Sequence, residues 1–299
     1  MGIFKKFNEP VFMKTGNELE NKLKVLKSGL DDVEDKDALR ADIILTEMGL
    51  QGENRVINAL KKSDIGMYVL RDIHIHYGNE KANIDFCIIT PAHCYLVECQ
   101  SMIGNILVSG SRHFKRKYTV DDKEIADTII SPYNKISKYK TVLKNIWFEN
   151  MNVVDKALFM KYTDYYYKPL IVVPNEAGIS FDKQAPVKIK DNIVAVEHLI
   201  DYINEDIKNT KRKNLYDQEQ MEKVAESILK YHREISANYL DKYHIKVIND
   251  ITLKNDLVIY RTRKCNEMGI TLDLVFSDKE LNDIVVARPR TIEDLVKVL

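Results

Sequence analysis

Two carboxylates stand in neighbouring apolar runs within the stretch NIDFCIITPAHCYLVECQS. Asp85 comes near the start of the first run, and Glu98 comes near the end of the second. The short loop between the runs predicts a β-hairpin that brings the two acids towards each other. Converging carboxylates repel unless a cation or a proton lies between them, and Mg²⁺ binds one or two carboxylates together with waters and a phosphate oxygen. The pair therefore predicts a metal site suited to phosphodiester hydrolysis.

Two further side chains are candidates for the same site. Glu53 lies three and four residues before Val56 and Ile57, so it shares the helix face that packs inward. An acid there either complements the helix dipole in the first turn or faces the sheet. Gln100 follows Glu98 by two residues, and both point the same way because side chains alternate along a strand. Taken alone, the acids also fit ordinary solvated carboxylates at strand ends.

The composition excludes several classes of protein. Lys+Arg and Asp+Glu each number 45 in 299 residues, so any basic surface for nucleic acid must be local. The four cysteines show no paired metal spacing and suggest no disulfide framework, which makes the reducing cytoplasm the expected location. No apolar run reaches the roughly 18 residues that span a membrane, and the first residues lack the apolar region of a signal peptide.

The order of predicted elements is helix, three strands, helix, strands, which indicates an α/β fold with a mixed sheet. We expect one helix over residues 17–29, a second ending near Gly49, and then a turn before a third that carries Glu53. Ser131 and Pro132 are typical of a helix start. The expected domains are an N-terminal helical leader over 1–48, a core over 49–205 and a helical region over 215–299.

Two basic segments could contact phosphates. The segment RHFKRK is expected to form a turn in which Phe114 stacks on a base, and the helix after Pro132 carries a lysine-rich flank. A solvated hairpin and a solubility-promoting helix flank are the alternatives. His74 and His76 share one face of a strand, but such an isolated pair is more often structural than metal-binding. The candidates for nucleic-acid contact are Arg112, Lys115, Arg116, Lys117, Lys135 and Lys138.

Four ordered motifs resemble the nuclease-related domain (NERD) family of the PD-(D/E)XK nuclease superfamily. They are GLQGE, NID, an E-x-Q with a following glycine, and the helix start SPYNK. The opening GIFKKFNEPVFMK is similar to the leader of bacterial members. The resemblance covers roughly residues 1–175. It implies a restriction-endonuclease-like mixed sheet flanked by helices, Mg²⁺ (or Mn²⁺) on Asp85 and Glu98 with Glu53 assisting, and DNA as the partner.

The sequence departs from the family pattern at two positions. Gln100 stands where the family has a lysine that orients the attacking water, and Lys135 stands where it has a glutamine. Glutamine donates hydrogen bonds but carries no charge. Loss of one charge-stabilising donor costs about 10² to 10³ in rate. Lys135 swinging into the vacant role is a possibility that the sequence leaves open.

The C-terminal tail resembles an HRDC domain, a helical nucleic-acid-binding module. The segments LVIYRTRKCNEMGI, VFSDKELNDIV and RPRTIEDLVKVL follow its order, and Ser277 and Thr291 are plausible N-caps. The family's last turn and helix are missing, so the unit is truncated or divergent.

Three functions follow as hypotheses. The first is a Mg²⁺-dependent, DNA-binding nuclease relative with weak hydrolysis. The second is a catalytically inactive nucleic-acid-binding or regulatory module, which Gln100 favours. The third is an α/β interaction protein, whose melting temperature neither Mg²⁺ nor nucleic acid would change.

Overall fold

A computed structural model describes the chain in two compact units. The first comprises the described residues of 1–31 and 36–240, and the second those of 32–35 and 241–299. The described residues are 7–30, 33, 35–100, 105–111, 113–120, 123–149, 151–173, 178–211, 215–235, 237–243, 250–289 and 291–299.

The first unit is α/β. Its described strands are β1 (Pro10–Lys14), β2 (Met67–Tyr77), β3 (Glu80–Ile89), β4 (Cys94–Cys99), β5 (Asn105–Val108), β6 (Phe114–Val120), β7 (Lys123–Ile129), β8 (Tyr167–Val173), β9 (Ile179–Phe181) and β10 (Ile193–Ala195). Its described α-helices are α1 (Glu18–Ser28), α2 (Lys36–Lys61), α3 (Pro132–Phe148), α4 (Val153–Tyr166), α5 (Val187–Lys190), α6 (Leu199–Asn209) and α7 (Gln218–Leu229).

The strands form two mixed sheets. The larger sheet has the order β1-β2-β3-β4-β8-β10, and the smaller has the order β7-β6-β5-β9. In the larger sheet β2, β3 and β4 are antiparallel neighbours, whereas β8 runs parallel to β4. The predicted mixed sheet flanked by helices, with a helical C-terminal region, is therefore confirmed.

The larger sheet is covered on both faces. One core contains Leu96 of β4 with Ile136 and Leu143 of α3 and Ala225 of α7. The other core contains Val97 of β4 with Val56 and Leu60 of α2 and Leu199 of α6. Burial on both faces explains why β3 and β4 read as nearly continuous apolar runs rather than as alternating patterns.

The helix α2 corrects the predicted turn around Gly49. It runs without interruption from Lys36 to Lys61, past both Gly49 and Gly52. A glycine costs an interior helix position only about 1 kcal/mol, and packing of the apolar stripe against the sheet outweighs that cost. Glu53 therefore lies in the helix interior and not in a first turn, so the helix-dipole explanation for it does not hold.

The basic segment after β5 is also corrected. Lys115, Arg116 and Lys117 lie within β6, which pairs along its length with β7, so the segment is not a turn. Lys115 and Lys117 are exposed, but Phe114 is only 2% exposed and packs in the core, where it cannot stack on a base. Arg112 lies outside the described residues.

The predicted domain limits differ from the compact units. The described leader contributes β1 and α1 to the first unit, and α7, expected in the C-terminal region, packs on the large sheet through Met221, Ala225 and Ile228. An amphipathic stripe predicts that a helix packs, but it does not identify the partner surface.

The second unit is helical. Its described helices are α8 (Asp250–Met268), α9 (Leu272–Val275), α10 (Asp278–Ala287) and α11 (Ile292–Val298). Phe276, Leu281 and Val285 form its small core, and Ser277 caps α10 in a capping box with Glu280. Thr291 caps α11. Within the described part of the chain, no helix has the length and apolar character that a membrane crossing requires.

Candidate active site

The end of the β3–β4 ladder brings Asp85 and Glu98 together. Phe86 pairs with Val97, and the same register continued by one residue sets Asp85 opposite Glu98. At this point Oδ2 of Asp85 accepts a hydrogen bond from the backbone N–H of Cys99 at 2.6 Å. The hairpin expected from the sequence therefore places the two acids side by side on adjacent strands.

The carboxyl of Asp85 is in an environment that disfavours its charge. Burial first, and then the negative charges of Glu98 and Glu53, raise the pKa of Asp85 well above its usual range. The Cys99 N–H and the Lys135 ammonium act in the opposite direction. Buried carboxyls that raise one another's pKa are stabilised by a shared proton or by a nearby cation.

Glu98 is held by side chains from α3. Its Oε1 accepts from Nζ of Lys135 at 2.5 Å and from Nε2 of Gln100 at 3.4 Å, and its Oε2 accepts from the Tyr139 hydroxyl at 3.2 Å. Burial raises the pKa of Glu98, against the lowering effect of Lys135 and Tyr139. Lys135 and Tyr139 are one helical turn apart, so both reach the same carboxylate.

The start of α3 explains why Lys135 reaches the site. Ser131 is the N-cap, with Oγ accepting from the N–H of Asn134, and Pro132 occupies the first turn. This start sets Ile136 and Tyr139 against the sheet and leaves Lys135 beside Glu98. Lys135, which the sequence offered both for phosphate contact and for the role of the missing lysine, thus lies on the oxygen that Gln100 also approaches.

Glu53 reaches the same region from α2. Its Oε2 accepts from Nδ2 of Asn17 at 2.5 Å and from Nε of Arg71 at 3.0 Å. Burial raises the pKa of Glu53 to about 7, because it outweighs the lowering effect of Arg71 and Asn17, and Asp72 raises it further. The charge of Glu53 is therefore disfavoured by burial even beside a buried arginine.

Sequence reasoning missed three partners of the acids: Asn17, Arg71 and Tyr139. One signal was present. The pair Arg71–Asp72 interrupts the apolar strand MYVLRDIHI, and a charged side chain at such a position is buried only with a partner. Asn17 and Tyr139 gave no comparable signal, since the first reads as a helix cap and the second as a core aromatic.

The family comparison covers all four predicted site residues. Residues 48–174 match the family model of the nuclease-related domain, NERD. The match supports the NERD family for this segment, which runs from α2 to the end of β8. Neither a curated protein nor a solved structure matches the chain. The PD-(D/E)XK assignment and the HRDC-like tail stay predictions.

The acids of the NERD segment are close but do not form a tight three-ligand cluster. Among the described residues, three or more His, Cys, Asp or Glu donor atoms lie within 4.8 Å of one another only at Glu18, Asp72 and His74. Glu53, Asp85 and Glu98 fall outside that limit as a trio.

A lysine-lined cleft of about 390 Å³ lies beside α3 in the same unit. Within the described chain its lining includes no acidic side chain. Lys168 of the lining also forms an ion pair with Asp206. Lys138, on another side of α3, is exposed. The basic and aromatic lining residues are Lys140, Lys144, Lys168, Lys188, Tyr133 and Tyr165.

Proposed function

We propose that this chain is a metal-dependent, nuclease-related protein that binds DNA and hydrolyses phosphodiester bonds slowly. The observation that carries the proposal is the β3–β4 register, which continues to set Asp85 opposite Glu98, with Asp85 bound to the Cys99 N–H. Burial, and then the charges of Glu98 and Glu53, raise the pKa of Asp85 in this arrangement. Acids that mutually disfavour ionisation at a strand end are what a divalent cation would stabilise. The NERD match over the same residues supports this reading.

The residues present fit Mg²⁺ or Mn²⁺. Asp85 and Glu98 supply two carboxylates, and Mg²⁺ needs only one or two, with waters and a phosphate oxygen filling the other positions. When bound, the ion polarises the phosphoryl oxygen and lowers the pKa of its water. Cys99 orients Asp85 through its N–H, and Tyr139 orients Glu98 through its hydroxyl.

Lys135 takes the role of the missing family lysine in this proposal. Its ammonium lies 2.5 Å from Oε1 of Glu98, whereas the neutral amide of Gln100 lies 3.4 Å from the same atom. A cation beside the metal acids can orient the attacking water and stabilise charge that develops on the phosphate. The charge then comes from α3 and not from β4.

The lysine-lined cleft beside α3 supplies the contact with DNA. Phosphate oxygens are bound chiefly by Lys and Arg, and the four lysines of the lining, of which Lys168 is paired with Asp206, form a local basic surface on a chain of zero net charge. Further lysines extend this basic surface for the DNA backbone. They are Lys135 and Lys138 on the same helix and Lys115 and Lys117 on β6.

A catalytically inactive nucleic-acid-binding module is the second candidate. The observation that favours it is the same ion pair, because the Lys135 ammonium already neutralises Glu98 on an oxygen that a metal would use. In this reading Gln100 marks the loss of hydrolysis, and the cleft still binds phosphates.

Cleavage assays on the full chain separate the two candidates. Labelled single- and double-stranded DNA and RNA are incubated with Mg²⁺ or Mn²⁺ and with the parent, Asp85→Asn or Gln100→Lys. The control is Asp64→Asn, which removes an exposed acid. Cleavage by the parent and the control but not by Asp85→Asn supports the enzyme. Cleavage by Gln100→Lys alone supports the inactive module. No cleavage and no nucleic-acid binding by any protein rejects both.

A further inference from the structure

A second group of ligand-type side chains lies where α1 begins beside β2. Nε2 of His74 is 2.8 Å from Oδ1 of Asp72 and 3.4 Å from Oε2 of Glu18. One donor atom of each residue lies within 4.8 Å of the other two. None of the three residues belongs to the Asp85–Glu98 site, and the proposed nuclease function assigns them no role.

His74 is the side chain that points to a ligand. It is 4% exposed, and its Nε2 is ion-paired with the carboxylates of Asp72 and Glu18 without hydrogen-bond geometry that satisfies it. Buried polar atoms in folded proteins are almost always hydrogen-bonded, and an unpaired one is costly. A ligand atom bound by Nε2 and by one oxygen of each carboxylate would give this buried nitrogen a partner.

The remaining atoms of the cluster are already fixed. Oδ2 of Asp72 accepts from the N–H of Glu18 at 2.6 Å, and Oε1 of Glu18 accepts from the Tyr239 hydroxyl at 3.0 Å. These bonds leave Oδ1 of Asp72 and Oε2 of Glu18 turned towards His74. Metal sites in proteins use such outer hydrogen bonds to orient their ligands.

The backbone of Asp72 is strained in a way that serves this arrangement. Its φ is 56°, in the left-handed region that few residues other than glycine adopt. Strain of this kind is concentrated at functional sites. It occurs between the pairs Arg71–Phe86 and Ile73–Ile84 of the β2–β3 ladder.

We propose that Glu18, Asp72 and His74 form a binding site for a divalent transition-metal ion of the Zn²⁺ class. One imidazole nitrogen with two carboxylate oxygens is a donor set that Zn²⁺ accepts, whereas Mg²⁺ prefers oxygen alone. A tetrahedral ion with bonds of about 2.1 Å holds its ligands about 3.4 Å apart. The His74–Glu18 distance of 3.4 Å equals that spacing, and the His74–Asp72 distance of 2.8 Å is about 0.6 Å shorter than it.

The site has an entry path and two competing charges, a proton on His74 and the ammonium of Lys14. Burial lowers the pKa of His74, but the carboxylates of Asp72 and Glu18 raise it overall, so a proton competes with the ion for Nε2. The Glu18 side chain is 25% exposed, so a fourth position open to water lies on its side. Lys14 is the second competing charge, with Nζ 3.9 Å from Oδ2 of Asp72. It donates its hydrogen bonds to the carbonyls of Gly16, Arg71 and Asp72, on the carboxylate oxygen turned away from His74.

The test uses the untagged full chain after removal of metal with a chelator. Zn²⁺ is titrated by calorimetry, Co²⁺ is titrated by its visible absorption, and melting temperature is measured with and without Zn²⁺. The parent is expected to bind one ion and to melt higher with it. Asp72→Asn, His74→Gln and Glu18→Gln should each lose the shift and bind Zn²⁺ at least about 100-fold more weakly, since even outer-sphere partners are worth about 10- to 100-fold.

Two controls exclude other sites. His198→Gln removes an exposed histidine and should bind Zn²⁺ as the parent does. Asp85→Asn alters the nuclease-like site and should also keep the ion. Three results would each overturn the proposal. The first is that the parent binds no Zn²⁺, and the second is that the three ligand variants bind it as the parent does. The third is that Asp85→Asn loses the ion while His74→Gln retains it. If His74→Gln does not fold, the partly exposed Glu18→Gln decides.

Discussion

Glu53 links the folding stability of the protein to pH. Its pKa is raised by burial from 4.5 to about 7, so between these values the folded chain binds a proton that the unfolded chain has released. This contribution to stability is complete below about pH 4.5 and is lost as pH rises through about 7. Over that window it amounts to about 3 kcal/mol, because one pKa unit corresponds to about 1.4 kcal/mol.

Urea unfolding at pH 5 and pH 8 in the presence of a chelator checks this. Glu53→Gln should show a smaller fall in unfolding free energy between the two pH values than the parent does, by about 3 kcal/mol. The control Glu9→Gln removes an exposed acid and should keep the parental pH dependence. Equal pH dependence in the parent and Glu53→Gln would contradict the expectation.

Lys135 is expected to act in hydrolysis rather than in folding. In a parent that cleaves DNA, Lys135→Gln should lower the single-turnover rate by about 10² to 10³, the effect of losing one charge-stabilising donor. Adding Gln100→Lys to that variant should recover part of the rate, because the charge returns to the same oxygen of Glu98.

Lys62→Gln is the matched control, since it removes an exposed lysine away from the acids. It should cleave at the parental rate. A Lys135→Gln variant that folds and also cleaves at the parental rate would assign the lysine to structure alone.

At the scale of single residues, the sequence identifies the candidate acids but not the side chains that contact them. Asp85 and Glu98 follow from a hairpin only a few residues wide, which is a local signal. The Lys135–Glu98 contact spans 37 positions, and the Arg71–Glu53 contact depends on how α2 lies across the sheet. Such contacts are products of packing, and no spacing in one sequence encodes them.

At the scale of elements, two glycines give opposite expectations. Gly49 lies inside α2, where an added Cβ would meet only Cδ1 of Leu19 at 3.3 Å, the end of a flexible side chain. Gly49→Ala should therefore stabilise the protein by about 0.5 to 1 kcal/mol through helix propensity. Gly78 turns β2 into β3 with φ of 57°, and Gly78→Ala should destabilise by about 1 to 2 kcal/mol.

Unfolding free energies from urea titrations of the two variants check these signs. The pair is informative because the substitution is chemically the same in both. Stabilisation by Gly78→Ala, or destabilisation by Gly49→Ala, would show that local backbone preference does not control these positions.

The elements that were mispredicted share a physical cause. Gly49 and Gly52 signal a turn locally, but the long apolar stripe of α2 against the sheet overrides them. The segment containing Lys115 and Lys117 resembles a turn because its charged residues are consecutive, but it is a strand because β5 and β7 pair with it. Strands with strong apolar content, such as β3 and β4, were predicted closely.

At the scale of the whole molecule, zero net charge makes any DNA affinity depend on where lysines lie. If the cleft beside α3 contacts phosphates, the double variant Lys140→Gln with Lys144→Gln should lower the slope of log affinity against log salt by about 1 to 2, since each phosphate contact contributes about 0.9. Fluorescence anisotropy with duplex DNA over a range of salt concentrations measures that slope.

The double variant Lys24→Gln with Lys62→Gln is the control because it makes the same change in net charge at two exposed lysines outside the cleft. It should leave the slope unchanged. An equal fall in both double variants would mean that overall charge governs binding, since the only property they share is the loss of two positive charges. A fall confined to Lys140 and Lys144 would instead place the phosphates in the cleft, on the helix that also carries Lys135 to Glu98.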